Sequence, residues 1–141
     1  MFWRNRNTVL VIIAVIVLTV FSAAARPRKM QRSVSGTWGG DHIIIEFSGR
    51  SASIEYDCAN GTINGPLTLD SKGRFTWGGY HNREHGGPIR RDEKSNTQTA
   101  TYKGWIQDNT MTLTVTLANG DESLGTFTLK RGSQGRVFKC R

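Results

Sequence analysis

From residue 36 onward, apolar and polar residues alternate with period two, and few stretches show helical spacing. The clearest run is Thr110 to Leu117, where Met111, Leu113, Val115 and Leu117 alternate with threonines. Such a strand buries one face and leaves the other, hydroxylated face to water. The same alternation puts Ile43, Ile45 and Phe47 on one face, and pairs Ile54 with Tyr56, Leu67 with Leu69, Phe75 with Trp77, Ala100 with Tyr102, and Phe127 with Leu129. Between these runs stand Ser48-Gly49-Arg50, Asn60-Gly61, Asn64-Gly65-Pro66, Ser71-Lys72-Gly73, Asp108-Asn109 and Asn119-Gly120-Asp121. These residues accept positive φ or bond to their own backbone, as hairpin connections require.

The pattern predicts about eight strands, near 36–47, 51–57, 62–70, 73–80, 97–107, 110–118, 122–131 and 135–140. Short connections make successive strands neighbours. The expected fold class is all-β, an antiparallel up-and-down barrel, because closing a sheet of this size removes its exposed edges. A two-sheet sandwich is the alternative.

Charge changes the picture only at the start of the chain. The 141 residues carry a formal net charge of +8. Arg4, Arg6, Arg26, Arg28, Lys29 and Arg32 all precede Ser33, leaving 13 basic against 11 acidic residues in the remainder. That part is only +2, with signs interspersed and no basic stripe interleaved with aromatics, which argues against nucleic acid as a partner. The basic start, the apolar stretch Val9 to Phe21 and the small residues Ser22-Ala23-Ala24-Ala25 read as a secretory signal peptide. The expected organisation is a signal peptide at 1–25, a basic linker at 26–34 and a barrel domain at 35–141, secreted or periplasmic. An uncleaved N-terminal anchor, with the basic cluster against acidic lipid, is the rival and the only route to a membrane contact. Cys58 and Cys140 both fall in the exported portion, where an oxidising compartment lets them pair. Two buried free thiols are the alternative.

Candidate chemistry gathers in one segment. Between His81 and Asn96 lie 16 residues with 7 charges, the longest connection between predicted strands. Connections of that length in compact domains tend to be functional or disordered. His81, Glu84 and His85 match His-x-x-Glu-His, a zinc arrangement when helical, but Gly78, Gly79, Gly86, Gly87 and Pro88 leave scarcely a turn of helix. No metal or other cofactor is therefore expected. A lid fits better: glycine pairs as hinges, Trp77 and Tyr80 at the entrance to stack on an apolar or cyclic ligand, and His81, Arg83, Glu84 and His85 as polar anchors. A plain solvated loop explains the same residues. Asp41 with His42 and Glu55 with Asp57 form possible acid-base pairs, though strand alternation places charges in the same way for solubility. Trp105, on the face opposite Tyr102, is either a packing residue at a barrel end or an exposed aromatic for a partner. The bulky inward set, from Ile43 to Leu129, makes a full core and confines binding to the mouth of the barrel.

Short resemblances accompany this reading. Gly36-Thr37-Trp38, opening the first strand, resembles the Gly-x-Trp start of lipocalins and of avidin-like proteins. Ile54 to Gly61, with Tyr56-Asp57-Cys58, resembles the Tyr-x-Cys strand of the small periplasmic lysozyme inhibitors of the membrane-bound type, which are disulfide-tied barrels. The run from Cys58 to Pro88 is similar to secreted bacterial proteins to which no activity is attached. The resulting expectation is an exported, non-catalytic barrel that takes a small apolar or cyclic ligand at its open end, under the 81–96 loop. The rival is a protein-interaction module, such as a hydrolase inhibitor with that loop as a wedge.

Overall fold

A computed structural model describes residues 32–88, 96–118 and 122–140. The signal-peptide and linker expectations for 1–31, and the middle of the 81–96 loop, lie outside the described residues. Among the described residues there are ten strands: β1 (Arg32–Ser33), β2 (Gly36–Gly40), β3 (Ile43–Ser48), β4 (Ser51–Tyr56), β5 (Ala59–Asn64), β6 (Thr68–Leu69), β7 (Arg74–Arg83), β8 (Thr97–Gln107), β9 (Thr110–Leu117) and β10 (Ser123–Arg131). Eight of them close an antiparallel barrel in the order β10-β2-β3-β4-β5-β7-β8-β9, and β1 pairs with β6 outside it. The barrel is thus the architecture, and the sandwich is set aside.

The count of eight comes about differently from the expectation. The run 36–47 breaks at Asp41-His42 into two paired strands, with Gly40 opposite Ile43 and His42 at φ 67°. Histidine is among the few non-glycine residues that enter this region with some frequency, so a hairpin forms without a glycine. The expected strand 135–140 is not one. That segment runs beside β2, with a single parallel bridge between Asp41 and Arg136. Likewise 62–70 divides into β5 and the short β6, and β7 continues three residues beyond Tyr80 to Arg83. It continues because both neighbours still pair with it, Ala59 with Arg83 on one side and Thr97 with Asn82 on the other.

The inward faces form one core. Ile43, Ile45, Ile54, Ile63, Met111, Leu113, Val115 and Leu129 are all fully buried, as is the ring of Tyr102. Gly61 and Gly79 face inward beside that ring. A Cβ on Gly61 would lie 2.8 Å from the Tyr102 hydroxyl, and one on Gly79 would lie 3.0 Å from ring atom Cε2. Removing two side chains therefore admits one large one at mid-height, as close packing demands. At one end the barrel is plugged by Val34 and Leu67, both buried, with the Val34 amide donating to the Leu67 carbonyl at 3.2 Å. Near this end the Trp38 indole donates to the Ser35 carbonyl, and the Arg131 guanidinium lies 5.7 Å from the Trp38 ring centre. The opposite end carries the turns 41–42 and 57–58 and the connections leaving β7 and β9. It has no such plug among the described residues.

Candidate functional site

A cavity of about 290 Å³ opens at that unplugged end. Tyr56, Ala59, Leu124 and Phe127 supply its apolar surface. Tyr56 and Ala59 face each other across the β4–β5 hairpin, and barrel closure brings Leu124 and Phe127, from the first half of β10, to them. His81 stands in the wall, 6% exposed, with its ring 5.3 Å from that of Tyr56. The Tyr56 ring in turn lies 5.9 Å from Phe127. His42, Asp57, Arg83 and Glu84 form the rim. A second cavity of about 170 Å³, lined by Asn96, Gln98, Leu117 and Glu122, shares His81 and Arg83 with the first.

The rim is organised by the C-terminal tail. Cys58 and Cys140 are disulfide-bonded with Cα atoms 4.9 Å apart, as the pairing expectation required. The Phe138 amide donates to Asp57 Oδ1 at 2.7 Å, while His42 Nδ1 lies 2.5 Å from Asp57 Oδ2. Lys139 reaches the Glu84 and Glu55 carboxylates at 3.6 and 3.7 Å. The Asn60 amide donates to Glu84 Oε1 at 2.6 Å. Two rim carboxylates are thus already satisfied. Arg83 makes no ion pair with any described residue, so its guanidinium is the rim's available cation.

Electrostatics follow from depth. Burial pushes the His81 imidazole below its ordinary value, Arg83 adds to this, and Glu122 opposes it. The wall therefore offers a neutral imidazole at pH 7, able to donate and to accept. Burial, together with the neighbouring Tyr102 hydroxyl, pushes Tyr56 far above the usual phenol range. The Tyr56 hydroxyl is buried beside that of Tyr102, without a hydrogen bond of good geometry among the described residues. Tyr102 donates instead to the Tyr80 carbonyl at 2.9 Å. The Phe138 amide and then His42 hold the Asp57 carboxyl below its usual range, so His42 Nδ1 is the donor in their contact.

Of the expected anchors, His81, Arg83 and Glu84 come together here. His85 lies on the exposed connection, with Nδ1 3.0 Å from the Gly86 carbonyl oxygen. Trp77 and Tyr80 are not at the entrance. Trp77 is buried lower in the barrel, stacked on Phe75 at 3.9 Å and edge-on to Phe47, with its indole donating to the Thr68 carbonyl. Tyr80 points outward, 49% exposed. Alternation along β7 is the reason, since Phe75, Trp77, Gly79 and His81 face in and Tyr80 faces out. His81 lies within extended backbone, so the helical spacing that makes His-x-x-Glu-His a metal motif does not arise. Among the described residues no group of three or more His, Cys, Asp or Glu side chains is placed to hold a metal ion. Tyr56, Leu124, Phe127 and the His42–Asp57 contact were not legible as a site. His42 pairs with Asp57 across the β3–β4 hairpin, where sequence adjacency pointed to Asp41. Compared with protein-family models, curated proteins and solved structures, the chain matches none of them.

Proposed function

We propose that this barrel is an exported binding protein that takes a small cyclic or apolar molecule, bearing one polar or anionic group, in the cavity at its open end. The observation that carries the reading is the composition of that cavity: an apolar floor, one buried imidazole in its wall, and above them a guanidinium that makes no ion pair with any described residue. Binding sites of small molecules combine mostly apolar walls with a few placed polar groups in this way. The volume, about 290 Å³, lies at the small end of ligand sites, and the filled barrel below it leaves no deeper room. Export is supported by the disulfide, since such bonds persist in oxidising compartments.

Native mass spectrometry of the protein recovered by gentle purification, followed by the denatured mass, tests this reading. An adduct lost on denaturation is expected. Anilinonaphthalene sulfonate, which joins apolar rings to an anion, serves as the titrant. Its fluorescence should rise at one equivalent, and Leu124→Trp, which fills the cavity, should abolish both signals while leaving the disulfide intact. A bare monomer that ignores the dye, or a Leu124→Trp variant that still takes it, would remove the cavity as the site and favour the protein-interaction module.

A further inference from the structure

The outer face of β7, β8, β9 and β10 carries a second arrangement, near the plugged end and independent of the mouth. Pairing puts its outward residues in rows. Thr76, Lys103, Thr114 and Thr126 form one row, and Arg74, Trp105, Thr112 and Thr128 the next. The Thr114 and Thr126 hydroxyls lie 2.9 Å apart. Trp105 stands in this field 49% exposed. Beside it runs a groove of about 670 Å³, the largest by volume of the cavities described, lined by Trp105, Phe75, Gly104, Lys103, Thr76, Thr114, Arg74 and Asp70.

The charges are unequal. Asp70 is consumed by Arg74, whose Nε and amide both donate to it at 2.9 and 2.8 Å. That pair fixes the guanidinium and leaves its terminal nitrogens as donors. Lys103 has no ion pair among the described residues. The groove therefore presents one aromatic face, one uncompensated cation and rows of hydroxyls.

We propose that this groove binds an oligosaccharide containing uronate units. A pyranose ring has an apolar C–H face and a hydroxylated edge. The first matches the indole of Trp105, whose face is electron-rich. The second matches threonine hydroxyls and the Arg74 fork, which hydrogen-bond in a plane beside it. Lys103 supplies the partner for a carboxylate on the neighbouring sugar, a sparse charge that suits a single free cation. A nucleic acid strand would need a run of cations along its phosphates, which this face lacks.

Calorimetric titration of the oxidised full chain with an alginate tetrasaccharide, and with cellotetraose as the neutral counterpart, tests the proposal. Binding of the uronate oligomer is expected, weaker on going from about 0.02 to 0.2 M salt. Trp105→Ala should reduce affinity about tenfold or more, whereas Trp105→Tyr, which keeps a ring, should stay close to the parent. Lys103→Met should abolish the preference for the acidic oligomer and its salt dependence. Unfolding midpoints equal to the parent's separate these effects from misfolding. The proposal falls if neither oligomer binds, if cellotetraose binds equally well to the parent, or if Trp105→Ala binds as the parent does. Loss of a protein partner on Trp105→Ala, without uronate binding by the parent, would likewise overturn it and assign the face to that partner. Leu124→Trp leaves this face untouched, so failure here and failure of the mouth as a ligand site are read separately.

Discussion

The amide of Phe138 donates to the Asp57 carboxylate at 2.7 Å, on the neighbour of the cysteine that bonds Cys140. A main-chain contact and a covalent one thus hold the C-terminal tail against the same turn. The disulfide closes a separation of 82 residues, for which chain entropy gives about 4 to 5 kcal/mol of stabilisation. Replacing Cys58 and Cys140 by serine is predicted to lower the unfolding midpoint by about 20 °C or more, a large share of what a domain of this size possesses. Calorimetry of the parent with and without reductant should give the same drop. A drop of only a few degrees would mean that Asp57 and Lys139 hold the tail without the bond.

Acid should destabilise the fold in two steps. The native state prefers a neutral His81, because burial and Arg83 depress it, whereas in the unfolded chain a histidine titrates near about 6.5. Below that value the unfolded state binds the proton first. Stability contributed by the neutral imidazole is therefore complete above about pH 6.5 and lost as pH falls through the lower native value. Asp57, depressed by the Phe138 amide and then by His42, contributes stability present above about pH 3.9 and lost as pH falls through its own native value. Urea unfolding across this range should show His81→Gln flattening the first limb and Asp57→Asn part of the second. Asp70, held low by the Arg74 amide and then by the Arg74 side chain, keeps the remainder of that limb. A first limb untouched by His81→Gln would assign it to another group.

Strand periodicity carried most of the fold and little of the site. Thr110 to Leu117 became β9 with its alternation intact, and the two cysteines pair. The misread segments share a cause. Asp41-His42 contains no glycine, so a turn that depends on a histidine at positive φ left no mark in the pattern. His81 is polar and is followed by polar residues, so it read as loop although it faces inward from β7. Trp77 and His81 share one face of one strand, and alternation alone cannot say which of them stands at the mouth. That depends on the tilt and register of strands in the closed barrel. Leu124, Phe127 and Tyr56 meet only because β10 and β4 curve toward one opening.

Gly39 marks where the tail crosses β2. Its outward face is covered, and a Cβ there would collide with the backbone of Ser133 and Gly135. Neither neighbour is the end of a flexible side chain, so the tail itself must move. Gly39→Ala is predicted to cost about 1 to 3 kcal/mol. It should also speed hydrogen exchange at the Arg136 amide, which donates to the Gly40 carbonyl at 2.9 Å. Gly78, on the outer face of β7 with open space where a Cβ would go, is the control, and Gly78→Ala should leave stability within about 0.5 kcal/mol.

Tyr56 provides the sharpest test of the mouth. Its ring packs between His81 and Phe127 at 5.3 and 5.9 Å, and Tyr56→Phe preserves that packing. Only the hydroxyl goes. A buried hydroxyl without a partner costs about 1 to 3 kcal/mol, so its removal is predicted to stabilise the ligand-free protein by about 1 kcal/mol, measured by urea unfolding. The hydroxyl lies beside that of Tyr102 with no surface open to the cavity, so a ligand at the mouth meets the ring and not this oxygen. Tyr56→Phe should therefore keep the co-purified adduct in native mass spectra, whereas Tyr56→Ala, which takes the ring out of the cavity wall, should lose it. Destabilisation of the ligand-free protein by Tyr56→Phe would instead mean that the hydroxyl is bonded to Tyr102. The sign of the stability change thus reports the contact with Tyr102, and the adduct reports the ring.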